Sequence, residues 1–361
     1  MEYDQMEQYW IWLSAALGAA PKRFYQLIER FGDARAVWDN SADAAQMLPD
    51  KQAESLREAR TTQNFYALFA TLEKLNMCAV TRLSGHYPSA LTTIYDPPAT
   101  LFVRGSLGLS DEKMLGVVGS RRASHDGRRA AEEISRDLAQ AGVTIVSGLA
   151  RGADSCAHKG ALDAKGKTIA VLGCGADVVY PPENDKLLAR MLENGGSVVS
   201  EYPPGTPPYA TNFPARNRII SGLSRGVLLI EGKKNSGAMI TVNFALEQSR
   251  EVFAVPGSIY SLLSEAPNQL IFDGALPVRG AWDILENLGW GQRPGEKDDP
   301  APMEALDEDE QKIVEPLKIE ALSFDELVNL TGFNPAKLNS HLTILELRGI
   351  IRQSSGRMYR A

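Results

Sequence analysis

Between residues 114 and 255 the chain alternates short apolar runs with longer amphipathic stretches. The runs are Met114–Val118, Val143–Val146, Thr168–Leu172, Val198–Val199, Val227–Ile230 and Val252–Val255. Arg128–Gln140, Ala153–Leu162 and Ala238–Gln248, lying between them, have helical length and spacing. Runs that are apolar throughout mark strands covered on both faces, and helices between successive strands are the crossovers that parallel pairing requires. The pattern predicts an α/β fold built on an extended, Rossmann-like, doubly wound sheet.

The flanks read differently. Gln8–Leu17 and Lys22–Phe31 have helical spacing around a Gly18-Ala19-Ala20-Pro21 break, and Gly32 closes the second. Residues 1–80 are therefore expected to be short helices without strands. Helix–Gly turn–helix occurs in small DNA-contact modules of the SAM or helix-hairpin-helix type, and equally in plain structural bundles. Beyond the sheet region, residues 293–308 have the Pro and charge content of a linker. Asp309–Leu317, Ser323–Leu330 and Asn334–Arg348 then look helical, the second opened by a Ser323…Glu326 capping box. Alternation around Ser354-Ser355-Gly356 adds a hairpin, completing a winged-helix pattern. The expected division is a helical module at 1–80, a Rossmann-like domain at 81–292, an acidic linker at 293–308 and a winged helix at 309–361.

A net charge of −7 argues against a nucleic-acid partner until its distribution is considered. Residues 293–310 hold 8 acidic side chains against 2 basic ones, whereas residues 81–292 hold 21 of each. The sheet domain is neutral overall, so local potential decides what it attracts. No apolar run approaches the roughly 20 residues that span a bilayer, and the acidic start Met1-Glu2-Tyr3-Asp4 is unlike a secretory signal. Cys78, Cys156 and Cys174 lack CxxC spacing, which suggests neither a disulfide framework nor zinc. A cytoplasmic protein with no membrane contact, metal or cofactor is expected.

Three strand-to-helix turns are rich in Gly and Ser: Gly119-Ser120-Arg121, Ser147-Gly148-Leu149-Ala150-Arg151-Gly152, and Ser236-Gly237. In an open α/β sheet such turns gather at the carboxyl ends of the strands, where ligands bind at the topological switch point. Gly admits close approach, helix-start N–H groups face an anion, and Arg121 and Arg151 supply charge. Phe213, Arg216, Asn217 and Arg218 precede the strand at Val227. An aromatic face beside guanidinium forks suits stacked bases and phosphates. The plain alternative is a helix start with a buried Phe and two solvated Arg. No GxxxxGK[ST] loop or complete GxGxxG turn is present. His86, His125, His158 and His341 are scattered. His158 beside Asp154 reads either as a catalytic base or, more simply, as a buried polar pair.

In order along the chain stand Val118-Gly-Ser-Arg121, Ser147-Gly-Leu-Ala-Arg-Gly-Ala-Asp154, Ala157-His158, Thr168-Ile-Ala-Val-Leu-Gly173, Tyr180-Pro181, Ser200-Glu201, Phe213-Pro-Ala-Arg-Asn-Arg-Ile-Ile-Ser-Gly-Leu-Ser224, Ser236-Gly237 and Val255-Pro-Gly257. With these the sequence closely resembles the DNA processing protein A (DprA/Smf) family of bacteria over residues 80–280. The resemblance implies a sequence-independent single-stranded DNA binder. It would protect incoming strands during natural transformation and help load the RecA recombinase onto them, as a homodimer without catalytic turnover. It also implies that Gly119, Ser120, Arg121, Ser147, Gly148 and Arg151 form a phosphate pocket. Phe213 would stack a base, with Arg216, Asn217 and Arg218 nearby and Ser236 and Gly237 closing the site. Asn217 has loop bracing as its alternative role, and Arg218 a buried ion pair. Departures from the family pattern fall at Gly232, at Ala266-Pro267-Asn268 and in the lack of a lysine near Phe213. Lys233 and Lys234 are the substitutes a neighbouring loop offers.

Two other readings compete. A nucleoside-monophosphate phosphoribohydrolase would use Glu201 or Glu231 as acid/base, although its Pro-Gly-Gly-x-Gly-Thr-x-x-Glu motif is missing. A duplex-reading regulator would rely on the winged helix, whose presumed recognition helix offers only Lys337 and Arg348 against Glu346.

Overall fold

The computed structural model describes residues 2–109, 113–291, 306–319, 322–347, 350–354 and 358–360. The expected linker lies outside the described residues up to 305, as do Arg348 and the hairpin turn at 355–357. Two compact units result, Met1–Arg293 and Pro294–Ala361.

Nine strands form the sheet of the first unit: β1 (Met77–Thr81), β2 (Thr100–Gly105), β3 (Met114–Val118), β4 (Thr144–Ser147), β5 (Thr168–Leu172), β6 (Ser197–Ser200), β7 (Gly226–Leu229), β8 (Glu251–Ala254) and β9 (Leu276–Pro277). Their spatial order is β1-β2-β6-β5-β4-β3-β7-β8-β9. Pairing is parallel from β6 to β9 and antiparallel at β1–β2 and β2–β6. Each of the six apolar runs becomes one of β3 to β8, shifted by a residue or two at most, because every residue of β3 and β5 is buried on both faces. β3 to β6 wind in one direction and β7 to β9 in the other. The switch point therefore lies between β3 and β7, which pair directly from Leu115–Gly226 to Val118–Leu229.

Helices cover both faces. Ala131, Ile134 and Leu138 of His125–Gln140, with Ala157 and Ala161 of Ala153–Asp163, pack on Leu115, Val117 and Ile145. On the opposite face Ile219, Ile220 and Leu223 of Asn212–Leu223, and Val242 and Ala245 of Gly237–Glu247, pack on Val118, Val146 and Leu229. Each fully buried Val, Leu or Ile contributes about 1.5–3 kcal/mol relative to exposure.

Residues 1–80 are mostly helical as expected, but they end in a strand, β1. A left-handed Asn76 (φ 49°) turns the chain out of the helix Thr62–Lys74 and into that strand, with no Gly or Pro to announce it. The helices hold their own cluster around Trp12, Phe24 and Leu56. Ile11 instead joins Phe102 and Leu172 of the sheet, and the Trp10 indole donates to the Ala99 carbonyl at 2.8 Å. At the rim, the Ala79 N–H of β1 donates to the Tyr3 hydroxyl at 2.7 Å.

The second unit contains helices Glu308–Ile319, Phe324–Thr331 and Pro335–Leu347. A small antiparallel sheet of β10 (Leu322–Ser323), β11 (Arg352–Ser354) and β12 (Met358–Arg360) runs in the order β10-β12-β11. The Ser323…Glu326 capping box forms, and Ile313, Leu317, Leu327, Leu338, Leu342 and Leu345 make the core. Three helices and a hairpin give the expected winged-helix arrangement.

Candidate nucleic-acid interface

After β3 the chain turns at Gly119, where a Cβ would lie 2.7 Å from that of Ala153. Glu231, just beyond β7, pins the loop: its carboxylate accepts the Ser124 N–H at 2.8 Å and the Ser124 hydroxyl at 2.6 Å. Ser124 in turn caps the helix His125–Gln140 by accepting the Gly127 N–H at 3.0 Å. Bracing the loop in this way leaves Arg121 and Arg122 exposed.

After β4, the buried Ser147 hydroxyl donates to the Val117 carbonyl at 2.6 Å. The Gly148 and Ala150 N–H groups donate to Asp154 Oδ2 at 3.1 and 3.4 Å. Arg151 reaches the surface, where its Nη2 lies 2.6 Å from Glu183 Oε1. After β7, Ser236 occupies the N-cap of the helix Gly237–Glu247. Among the described residues no side chain caps that helix, and the Ser236 hydroxyl, though shielded from solvent, has no partner. The helix start is thus left open to an incoming acceptor.

The helix Asn212–Leu223 crosses above these turns. Phe213 is half-buried rather than exposed. Its ring centroid lies 5.4 Å from that of Tyr180, with the guanidinium carbons of Arg121 and Arg216 at 5.7 and 5.9 Å. Arg216 is buried: its Nη1 donates to the Gly148 carbonyl at 3.0 Å and its Nε to Asn217 Oδ1 at 3.2 Å. Burial pushes its pKa down to about 10, against the opposing pull of the Asp154 carboxylate. Asn217 also donates to the Gly237 carbonyl at 3.3 Å, tying this helix to the next.

These elements enclose a cavity of about 560 Å³ at the switch point. The structure brings Gly119, Ser120 and Arg121 together in it with Phe213, Arg216, Asn217, Ser236 and Gly237. Gly148 and Arg151 line a small adjoining notch with Arg121 and Phe213, and Ser147 is buried at the end of β4. Arg218 points elsewhere. Its Nη2 donates to both oxygens of Glu201 at 2.8 Å, and its Nε to the Asp96 carbonyl at 2.9 Å. Tyr180, Pro208, Ala210 and Thr241 also line the cavity. Of these only Tyr180 lay in a quoted motif, and its position beside the proline carried no chemical signal.

His158 belongs to the interior. It is fully buried, its Nδ1 lies 2.7 Å from Thr168 Oγ1, and burial pushes its pKa down to about 3. His158 is thus buried rather than a base facing a substrate, but its partner is Thr168 and not Asp154, whose carboxylate is taken by the Gly148 and Ala150 N–H groups. In the second unit Asp307, Glu310 and His341 bring ligand atoms within 4.8 Å of one another. There the two carboxylates already serve the helix start, Asp307 accepting the Glu310 N–H at 2.7 Å and Glu310 the Asp307 N–H at 3.2 Å. The switch-point cavity has a cationic, hydrogen-bond-donating wall and two aromatic rings, Phe213 and Tyr180, a combination suited to a phosphate with an attached planar group.

The family model for DNA recombination-mediator protein A matches residues 79–289, which contain every element of this cavity. The chain belongs to the DNA recombination-mediator protein A family. A second model, the DprA winged helix domain, matches residues 297–357. Within the DNA recombination-mediator protein A family, the Smf protein of Escherichia coli K12 is 49% identical over 220 residues. That match spans 61% of this chain and 59% of the relative, less than two thirds of its length. The X-ray structure of DNA processing protein A from Streptococcus pneumoniae superposes with a TM-score of 0.63 at 35% identity, covering 79% of this chain and 98% of that one. DNA processing protein A from Helicobacter pylori, described for its single-stranded DNA binding mode, gives a TM-score of 0.54 at 28% identity, covering 59% of this chain and 95% of that one.

Proposed function

We propose that this chain binds single-stranded DNA independently of sequence in the switch-point cavity, and that it acts in DNA processing during natural transformation. The observation that carries the reading is the convergence of the Phe213 ring, the exposed Arg121 guanidinium and the open start of the helix Gly237–Glu247 on one cavity. In this reading Arg121 and the helix start hold phosphate while Phe213 carries a base, and Arg216 stiffens the floor beneath them. Gly237, with open space where a Cβ would stand, lets the backbone approach. Gly119 and Gly148 make room for Ala153 and Arg216 behind the wall, Ser120 lines it, and Asn217 braces it. Ser147 and Arg151 support the site from outside it, and Arg218 is held away from it by Glu201. Protection of the strand, loading of RecA and pairing into a homodimer in the cytoplasm complete the proposal, supported by the family relationship.

A binding role is favoured over a phosphoribohydrolase by the positions of the two acids such an enzyme would need. Glu201 is buried against Arg218, and Glu231 is occupied by Ser124. The test compares labelled oligo(dT) with duplex of equal length in a salt series, using wild type and Arg121→Ala. Strong single-strand preference, with weaker binding and a shallower salt slope in the variant, supports the proposal. Equal affinity for the two forms, or a variant with an unchanged slope, overturns it.

A further inference from the structure

A second cavity, of about 550 Å³, adjoins the first, and Ser120, Arg121 and Ser236 line both. Its outer walls are Arg122, from the loop after β3, and Lys233 and Lys234, from the loop after β7. Arg121, Arg122, Lys233 and Lys234 are all exposed, and none of the four enters an ion pair among the described residues. Glu265 is the single acidic residue lining the cavity, and it accepts the Lys234 backbone N–H at 3.4 Å. Four like charges around one hollow repel one another, and folding alone gives no reason to collect them. Lysine–phosphate contacts would relieve that repulsion.

The two cavities differ in a way that assigns them different parts of a ligand. The first has Phe213 and a buried guanidinium; the second has no aromatic side chain on its walls. A base finds a stacking face in the first only, whereas phosphodiester groups find cations in both. Ser120, Arg121 and Ser236 stand at the junction of the two.

Resting on the single-strand reading above, we propose that the second cavity carries the phosphodiester backbone of the same strand onward from Phe213, with Lys233 and Lys234 each neutralising one phosphate. The site is thereby extended by about two nucleotides, within the range of known single-strand grooves. Two phosphate contacts on a single strand correspond to about 1.4 units of the slope of log affinity against log salt.

The experiment measures binding of oligo(dT) of about four and about twelve nucleotides, each in a salt series. Wild type, Lys233→Gln/Lys234→Gln and Arg121→Ala are compared. The double variant should match wild type on the short oligonucleotide and lose about tenfold or more on the long one, with the slope on the long one shallower by about 1.4. Glu265→Gln, which removes the opposing charge, should tighten the long oligonucleotide. If the double variant equals wild type at both lengths while Arg121→Ala binds weakly, the lysines are merely solvated and this proposal alone is overturned. If wild type binds neither oligonucleotide, both this proposal and the single-strand reading fall.

Discussion

Arg218 and Glu201 form a buried ion pair in which one guanidinium nitrogen lies 2.8 Å from both carboxylate oxygens. The two side chains are only 8% and 5% exposed. Removing one partner strands the other charge away from water, at a cost of about 3–5 kcal/mol. Arg218→Ala should therefore lower the urea midpoint sharply. Any protein that remains folded should bind oligo(dT) as wild type does. A variant of normal stability with impaired binding would place Arg218 in the groove after all.

Phe213→Leu and Phe213→Ala separate stacking from packing. Stacking on an aromatic is worth about 1–3 kcal/mol per base, which is about five- to 150-fold in affinity. Leucine keeps much of the side-chain volume but offers no π face. Both variants should lose comparable affinity for oligo(dT) and oligo(dA), measured by fluorescence anisotropy, while the leucine variant keeps its Tm. Full affinity in the leucine variant would mean the ring only fills space.

Gly148→Ala probes the floor of the cavity. The added Cβ would lie 2.7 Å from Arg216 Nη2 and 2.8 Å from Asp154 Oδ2, so the buried guanidinium must move. Overpacking of this kind costs about 1–3 kcal/mol of stability. Displacing Arg216 should weaken single-strand binding by about tenfold, and the comparison of chemical denaturation with binding shows both effects.

Acid sensitivity should trace partly to His158. Its folded pKa, about 3, lies below the ordinary value of 6.5, so the unfolded chain takes up the proton first. The stability it protects is complete above pH 6.5 and is lost as pH falls from there toward 3, at about 1.4 kcal/mol per pH unit. Urea midpoints measured between pH 7 and pH 4 should fall more steeply for wild type than for His158→Gln. Parallel curves would show that His158 is not the source.

The central strands were legible because a run buried on both faces has one reading, and the Gly-Ser turns marked where such strands end. The different fates of Arg216 and Arg218 were also written in the sequence, since residues two apart on a helix face opposite sides. What the sequence left open was which side would be the groove. Glu231 and Ser124 meet across 107 residues, and nothing local to either announces the clamp. The strand β1 was hidden for the same reason: its pairing with β2 joins Met77 to Arg104, beyond the reach of local periodicity.

Tyr3 and Pro277 stand at opposite rims of the nine-stranded sheet. One covers an outward amide of β1 with its hydroxyl, and the other ends a two-residue β9 with a ring that has no N–H to offer. Another chain cannot readily lengthen this sheet by docking alongside it as a further strand. A partner of this unit would then have to meet side chains on helices and loops rather than add a strand. Even at high concentration, copies of this unit should gain little by zipping their large sheets edge to edge.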